Sequence, residues 1–193
     1  MEEKLFKHVM IDTETLGLAA GSVIRSVAAV EFDPETGETG RQRVWKLNMQ
    51  QAINNGFKVD AATIKWWMTR SEAARKDFVE GYETDMYSFL TQLDDFLSEK
   101  ETDFTLWCLQ LDFDVPMLRA YYDWAYQGLM AFGERANYPW NRRRVRDVRP
   151  YMDALESAGL LPPKAEDRHT PLSDCLSQIN YVHLAVKNHL LIR

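Results

Sequence analysis

Leu5-Phe6-Lys7-His8-Val9-Met10-Ile11-Asp12-Thr13-Glu14 is an apolar run that closes on two acids. Residues 5–11 read as a β-strand ending abruptly in the polar triplet Asp12-Thr13-Glu14. Residues i and i+2 of a strand share a face, so both carboxylates project together beyond an apolar sheet. Crowded there, they repel unless a cation lies between them. A hard divalent ion such as Mg2+ suits such oxygen ligands. The alternative is a solvated strand end that carries two acids. Outward from this stretch, residues 23–32 (VIRSVAAVEF) form a second run rich in β-branched residues. Asp33-Pro34-Glu35-Thr36-Gly37 is turn chemistry, and residues 43–47 alternate as a third strand. This spacing predicts an antiparallel meander of three strands.

Beyond the meander the periodicity changes. Residues 60–78 and 84–97 carry apolar side chains at helical spacing, with Tyr87, Leu90, Leu93 and Leu97 in one stripe. Residues 104–109 (FTLWCL) are nearly all apolar, as in a strand covered on both faces. Residues 115–128 and 148–158 read as helices, the second stopped by Gly159 and Pro162-Pro163. A last helix spans about 171–189, with Leu172, Cys175, Leu176, Ile179, Val182 and Val186 on one face. A meander followed by alternating helices and a strand implies a mixed α/β layer structure around one central sheet.

The chain has 193 residues, 46% hydrophobic and 27% charged, which fits one domain over 1–193 and excludes a disordered or repetitive chain. No apolar run approaches roughly 18 residues, and Met1-Glu2-Glu3-Lys4 lacks the plan of a secretory signal. The expectation is no membrane segment and a cytoplasmic protein. Cys108 and Cys175 stand far apart without a disulfide framework, as reduced structural thiols do. A net charge of −6 excludes a basic, non-specific nucleic-acid coat. It does not exclude an enzyme acting on nucleic acid, because divalent cations can supply the missing positive charge.

Two further signals complete a set of acids. Asp114 follows Phe113 at the start of a helix with proline in its first turn; its alternative role is a plain N-cap, which Asp112 could share. In His169-Thr170-Pro171-Leu172-Ser173-Asp174, Thr170 and Pro171 make an N-cap and N1 pair. His169 is then N′ and Asp174 is N4, positions that approach one another in a staple. An imidazole and a carboxylate there call for a polar partner, such as a metal-bound water, unless they are a surface pair.

This ordered set resembles the DEDD superfamily of 3′–5′ exonucleases, in its histidine-containing subgroup. Asp12 and Glu14 form a D-x-E motif, Asp114 an F-D element, and His169 with Asp174 an H-x4-D motif. Trp66-Trp67 after Thr63-Ile64, and Arg146-Asp147-Val148-Arg149, resemble a compact branch of phage-borne and bacterial members. Cys108-Leu109-Gln110 departs from the G-N-G stretch of many relatives. The resemblance implies a ribonuclease H-like α/β fold with a central mixed five-stranded sheet flanked by helices. It also implies two Mg2+ ions, with Mn2+ able to substitute, held by Asp12, Glu14, Asp114 and Asp174. His169 would take the proton from the attacking water, Thr15 would meet the 3′-hydroxyl and Leu16 the last base. The implied partner is a single-stranded DNA or RNA 3′ end, with DNA slightly preferred; a homodimer is left open. The alternatives are an exoribonuclease of the same chemistry and a non-catalytic nucleic-acid-binding subunit on this fold.

Three features remain double-edged. The basic run at residues 141–149 could grip phosphates or form a salt-bridged face. Of Trp66 and Trp67, at most one should face the core and the other could stack on a base, the favoured alternative being buried packing for both. His8, His183 and His189 sit in apolar or terminal contexts and read as structural.

Overall fold

A sheet read outward from its central strand organises the molecule. The computed structural model describes residues 5–98, 104–127, 138–163 and 169–190. Strands β1 (His8–Thr15), β2 (Ile24–Phe32) and β3 (Thr39–Leu47) form the antiparallel meander that the sequence predicts. Three short strands extend it in parallel: β4 (Glu83–Thr84) on β3, β5 (Thr105–Cys108) on β1, and β6 (Val145–Asp147) on β5. The order is β4-β3-β2-β1-β5-β6, a mixed sheet of six strands where five were expected. β4 and β6 escape sequence reading because two or three residues are too few to show an alternation.

The helices are α1 (Met49–Asn54), α2 (Ala61–Met68), α3 (Glu72–Val79), α4 (Met86–Ser98), α5 (Asp114–Ala125), α6 (Arg149–Ser157) and α7 (Pro171–Lys187). A single helix over 60–78 is replaced by α2 and α3. Ser71 starts the chain afresh there, its side chain accepting from Ala74 N at 3.2 Å. α1, which the sequence reading did not assign, is capped in the same way by Asn48. Residue 128, the expected end of the α5 segment, lies outside the described residues.

Alternation along β1 splits the interior into two layers. Val9 and Ile11 join Val27, Ala29 and Trp45 in a core closed by α4 and α5, while Met10 joins Ala28, Val30 and Phe32 beneath α7. β2 lies between these layers and is buried at every residue, so its polar members need partners. Glu31 is met by Arg41 at 2.7 Å. Arg25 reaches Glu83 at 2.8 Å and the carbonyls of Leu47, Phe78 and Glu80. On α7 the buried face carries Cys175, Gln178, Ile179, Val182 and Ala185, whereas Leu176 is exposed. The apolar stripe expected there is thus rotated, and a glutamine enters it. Cys108 and Cys175 are both buried free thiols. Among the described residues, no helix is long and apolar enough to cross a membrane.

Candidate active site

β1 pairs with β2 as far as Thr15↔Ile24, but with β5 only as far as Met10↔Trp107. Its last five residues therefore have one open edge at the carboxyl end of the parallel strands, where α/β sheets present ligand sites. Asp12 and Glu14 lie on this stretch, within the strand rather than past its end, and face α7. Between them, Thr13 turns to the open edge. Its N–H and hydroxyl donate to Asp114 Oδ1 at 3.1 and 2.7 Å. Asp114 is buried at the first residue of α5 and does not cap it; Phe113 is the N-cap and makes no side-chain bond. Asp112 points elsewhere, to Arg149 at 3.3 Å.

α7 supplies the opposite wall. Thr170 is its N-cap, with no capping bond from the hydroxyl, and Pro171 stands in the first turn. Asp174 Oδ2 accepts from the backbone N–H of His169 at 2.9 Å, closing the staple through the main chain. His169 holds φ of +72°, a left-handed conformation uncommon for a side-chain-bearing residue. Glu14, His169 and Asp174 offer ligand atoms within 4.8 Å of one another. One turn on, Gln178 donates from Nε2 to Asp12 Oδ1 at 2.8 Å. Asp174 and Gln178 thus face the cleft together, as i and i+4 residues must. No motif singled out Gln178; its only sequence signal is that spacing.

These groups line a cavity of about 240 Å³ that has no lysine or arginine in its wall among the described residues. Burial, then Asp174, Asp114 and Asp77, push Glu14 up to about 8. Burial raises Asp114 to about 7 against the two Thr13 hydrogen bonds. Burial and the three neighbouring acids likewise hold Asp12 well above the carboxylate range. A carboxylate cluster in this condition must take up protons or cations. Carboxylate oxygens with one imidazole form a donor set that fits a hard divalent ion.

A second cavity, of about 420 Å³, shares Thr13, Glu14 and Phe113 with the first. Its apolar wall comes from Leu18, Ala62, Thr63, Trp66 and Trp67, with Thr15 at its edge. Trp67 is buried and donates from Nε1 to Thr15 O at 2.9 Å, fastening α2 to the end of β1. Trp66 is 39% exposed. Thr15 Oγ1 donates to Gly17 O at 2.7 Å. Leu16 lines neither cavity: it packs on the larger core, and its backbone is tied to Val23 and Asp60. Leu18 occupies the cavity wall two residues later.

His8 and His183 turn away from the cleft. His8 Nδ1 is met by Trp107 Nε1 at 2.9 Å, and His183 Nδ1 lies 3.2 Å from Pro34 O. The basic run forms a 3-10 turn (Arg142–Arg144) and the edge strand β6, with Arg149 on Asp147 at 2.6 Å. Arg146 donates to the carbonyls of Arg143 and Val145.

The sequence model of the family described as 3′-5′ exoribonuclease Rv2179c-like domain matches residues 7–186. An exodeoxyribonuclease of Enterobacteria phage T4 is 26% identical over 119 residues, covering 56% of this chain and 52% of that protein. E. coli exonuclease I in complex with a dT13 oligonucleotide shares the fold with a TM-score of 0.62 at 14% identity, over 92% of this chain and 40% of that one. The nuclease domain of 3′hExo, a DEDDh family member bound to rAMP, gives 0.56 at 13% identity, over 97% and 96%. The chain spans about half the length of the phage relative and 40% of exonuclease I. The shared architecture is the ribonuclease H-like α/β fold.

Proposed function

The chain belongs to the 3′-5′ exoribonuclease Rv2179c-like family, and we propose that it is a divalent-metal-dependent exonuclease acting on single-stranded 3′ ends. The observation that carries this is the convergence of Asp12, Glu14, Asp114, Asp174 and His169 on one cleft beside an apolar pocket. Asp12, Glu14, Asp114 and Asp174 are the residues that would hold two Mg2+ ions, with Mn2+ as a substitute. Bound there, such ions supply positive charge to the scissile phosphate and the leaving oxygen. Gln178 fixes the Asp12 carboxylate, and the two Thr13 donors fix Asp114. His169 is the general base that accepts the proton of the attacking water.

The apolar cavity suits the terminal nucleoside. Thr15 Oγ1 spends its proton on Gly17, so its oxygen is free to accept from a 3′-hydroxyl. We place the last base against Leu18 and Trp66, with Leu16 supporting that wall from the core side. Two cores flanking one sheet support a single exonuclease domain over 1–193, and two buried free thiols support a reducing, cytoplasmic setting.

The family description covers more of the chain than the phage relative does, so RNA is the first substrate to test, ahead of the DNA that the sequence reading favours. The experiment offers DNA and RNA strands of one sequence with Mg2+ or with EDTA. Shortening from the 3′ end is expected with Mg2+ alone. Binding without hydrolysis under every condition would instead support a non-catalytic subunit.

A further inference from the structure

Trp66 sits where two functions meet. It lines the apolar cavity, and its ring lies 4.8 Å from that of His169 at 81°, an edge-to-face arrangement. Trp67 is a more distant ring neighbour of His169, at 6.4 Å. Trp66 is itself held in place. Arg70 lies 4.3 Å over its ring, and Arg70 Nε donates to the Trp66 carbonyl at 3.3 Å while Nη2 donates to Thr69 Oγ1 at 2.9 Å. Trp67 stands edge-on to it at 5.1 Å. The ring face under Arg70 is closed to a stacking base, so the exposed part of Trp66 serves the cavity wall and His169.

His169 is tied to Asp174 through its backbone N–H, with its φ in the left-handed region. We propose that Trp66 is a positioning residue: its ring contact holds the His169 imidazole toward the carboxylates and couples that position to filling of the apolar cavity. A nucleoside in the cavity presses on Trp66 where it lines the wall, and Trp66 passes the restraint to His169. This rests on the reading of His169 as the general base.

An aromatic pair of this kind shifts a conformer population by about three- to tenfold. Trp66→Leu should therefore lower kcat by up to about tenfold, with a smaller change in KM, while Trp66→Phe restores most of the rate. In the metal-free protein, the His169 ring proton resonances should move when Trp66 becomes Leu, through loss of the indole ring current. The deciding measurement is a double-mutant cycle with His169→Asn. If Trp66 acts through His169, Trp66→Leu costs less than about twofold once His169 is gone. An equal loss in both backgrounds, or unmoved His169 resonances, would overturn the proposal and leave Trp66 a simple wall of the cavity. Absence of any hydrolysis by the unmodified protein would instead defeat the exonuclease reading, and the resonance shift would still test the contact itself.

Discussion

At Asp12, a strand delivers a carboxylate into a wall whose described residues include no lysine or arginine, and one neutral amide holds it there. A neutral donor orients the carboxylate without cancelling its charge, which a cation site requires. Gln178→Leu removes that donor and keeps an apolar volume. Titration calorimetry with Mn2+ should show affinity weakened about 10- to 100-fold, with little change in thermal stability of the metal-free protein. Unchanged affinity would mean that Asp12 is oriented by other contacts. The same residues set a dependence on pH. Glu14 is raised to about 8 and Asp114 to about 7, so the folded metal-free protein keeps protons that the unfolded chain releases. Stability then falls as pH rises from the ordinary carboxylate range through about 8. In EDTA, Tm should be lower at about pH 8.5 than at about pH 5.5, and added Mg2+ should raise Tm more at the higher value. A Tm in EDTA that is flat or rises between these values would contradict the assignment of raised carboxyls.

Among the elements, α2 forms the wall of the apolar cavity, α3 backs it, and Arg25 of β2 anchors the end of α3. Its guanidinium is fully buried and bonded to the carbonyls of Phe78 and Glu80 at the end of α3. The Phe78 ring in turn lies 4.2 Å from that of Trp67. Arg25→Met removes these bonds, strands the buried Leu47 carbonyl and should cost about 2–4 kcal/mol in urea unfolding, with the m-value unchanged. A loss below about 0.5 kcal/mol would show that water replaces the guanidinium. The elements were unequally legible in sequence. β1, β2 and β5 announced themselves because each carries an apolar run, residues 9–11, 27–30 and 106–108, as central strands do. The break between α2 and α3 was hidden, since Thr69-Arg70-Ser71 holds neither glycine nor proline and a serine cap alone makes it. On α7, an amphipathic reading placed Leu176 in the core and passed over Gln178, because burial of a glutamine is decided by Asp12 on a distant strand. The nearness of Trp66 to His169 belongs to the same class: only the folded sheet brings α2 and the start of α7 together.

On the scale of the whole molecule, the unequal pairing of β1 makes the site. β2 supports β1 to its end while β5 stops early, and the open edge is filled by acids from β1, α5 and α7. Segments that are remote in sequence each contribute one motif, which is why their order was readable before their meeting place was. A chain of net charge −6 can accept a polyanion at such a cleft only when cations occupy it. The central claim is that this cleft removes nucleotides from free 3′ ends with divalent metal. The most direct measurement follows a 5′-labelled single strand in Mg2+, beside the same strand carrying a 3′-phosphate, a closed circular strand, and the Asp12→Ala protein. The expected result is a ladder shortening from the 3′ end of the free strand, strong slowing by the 3′-phosphate, an intact circle, and no turnover by Asp12→Ala. Cleavage of the circle at the rate of the linear strand, or activity of Asp12→Ala equal to that of the unmodified protein, would contradict it.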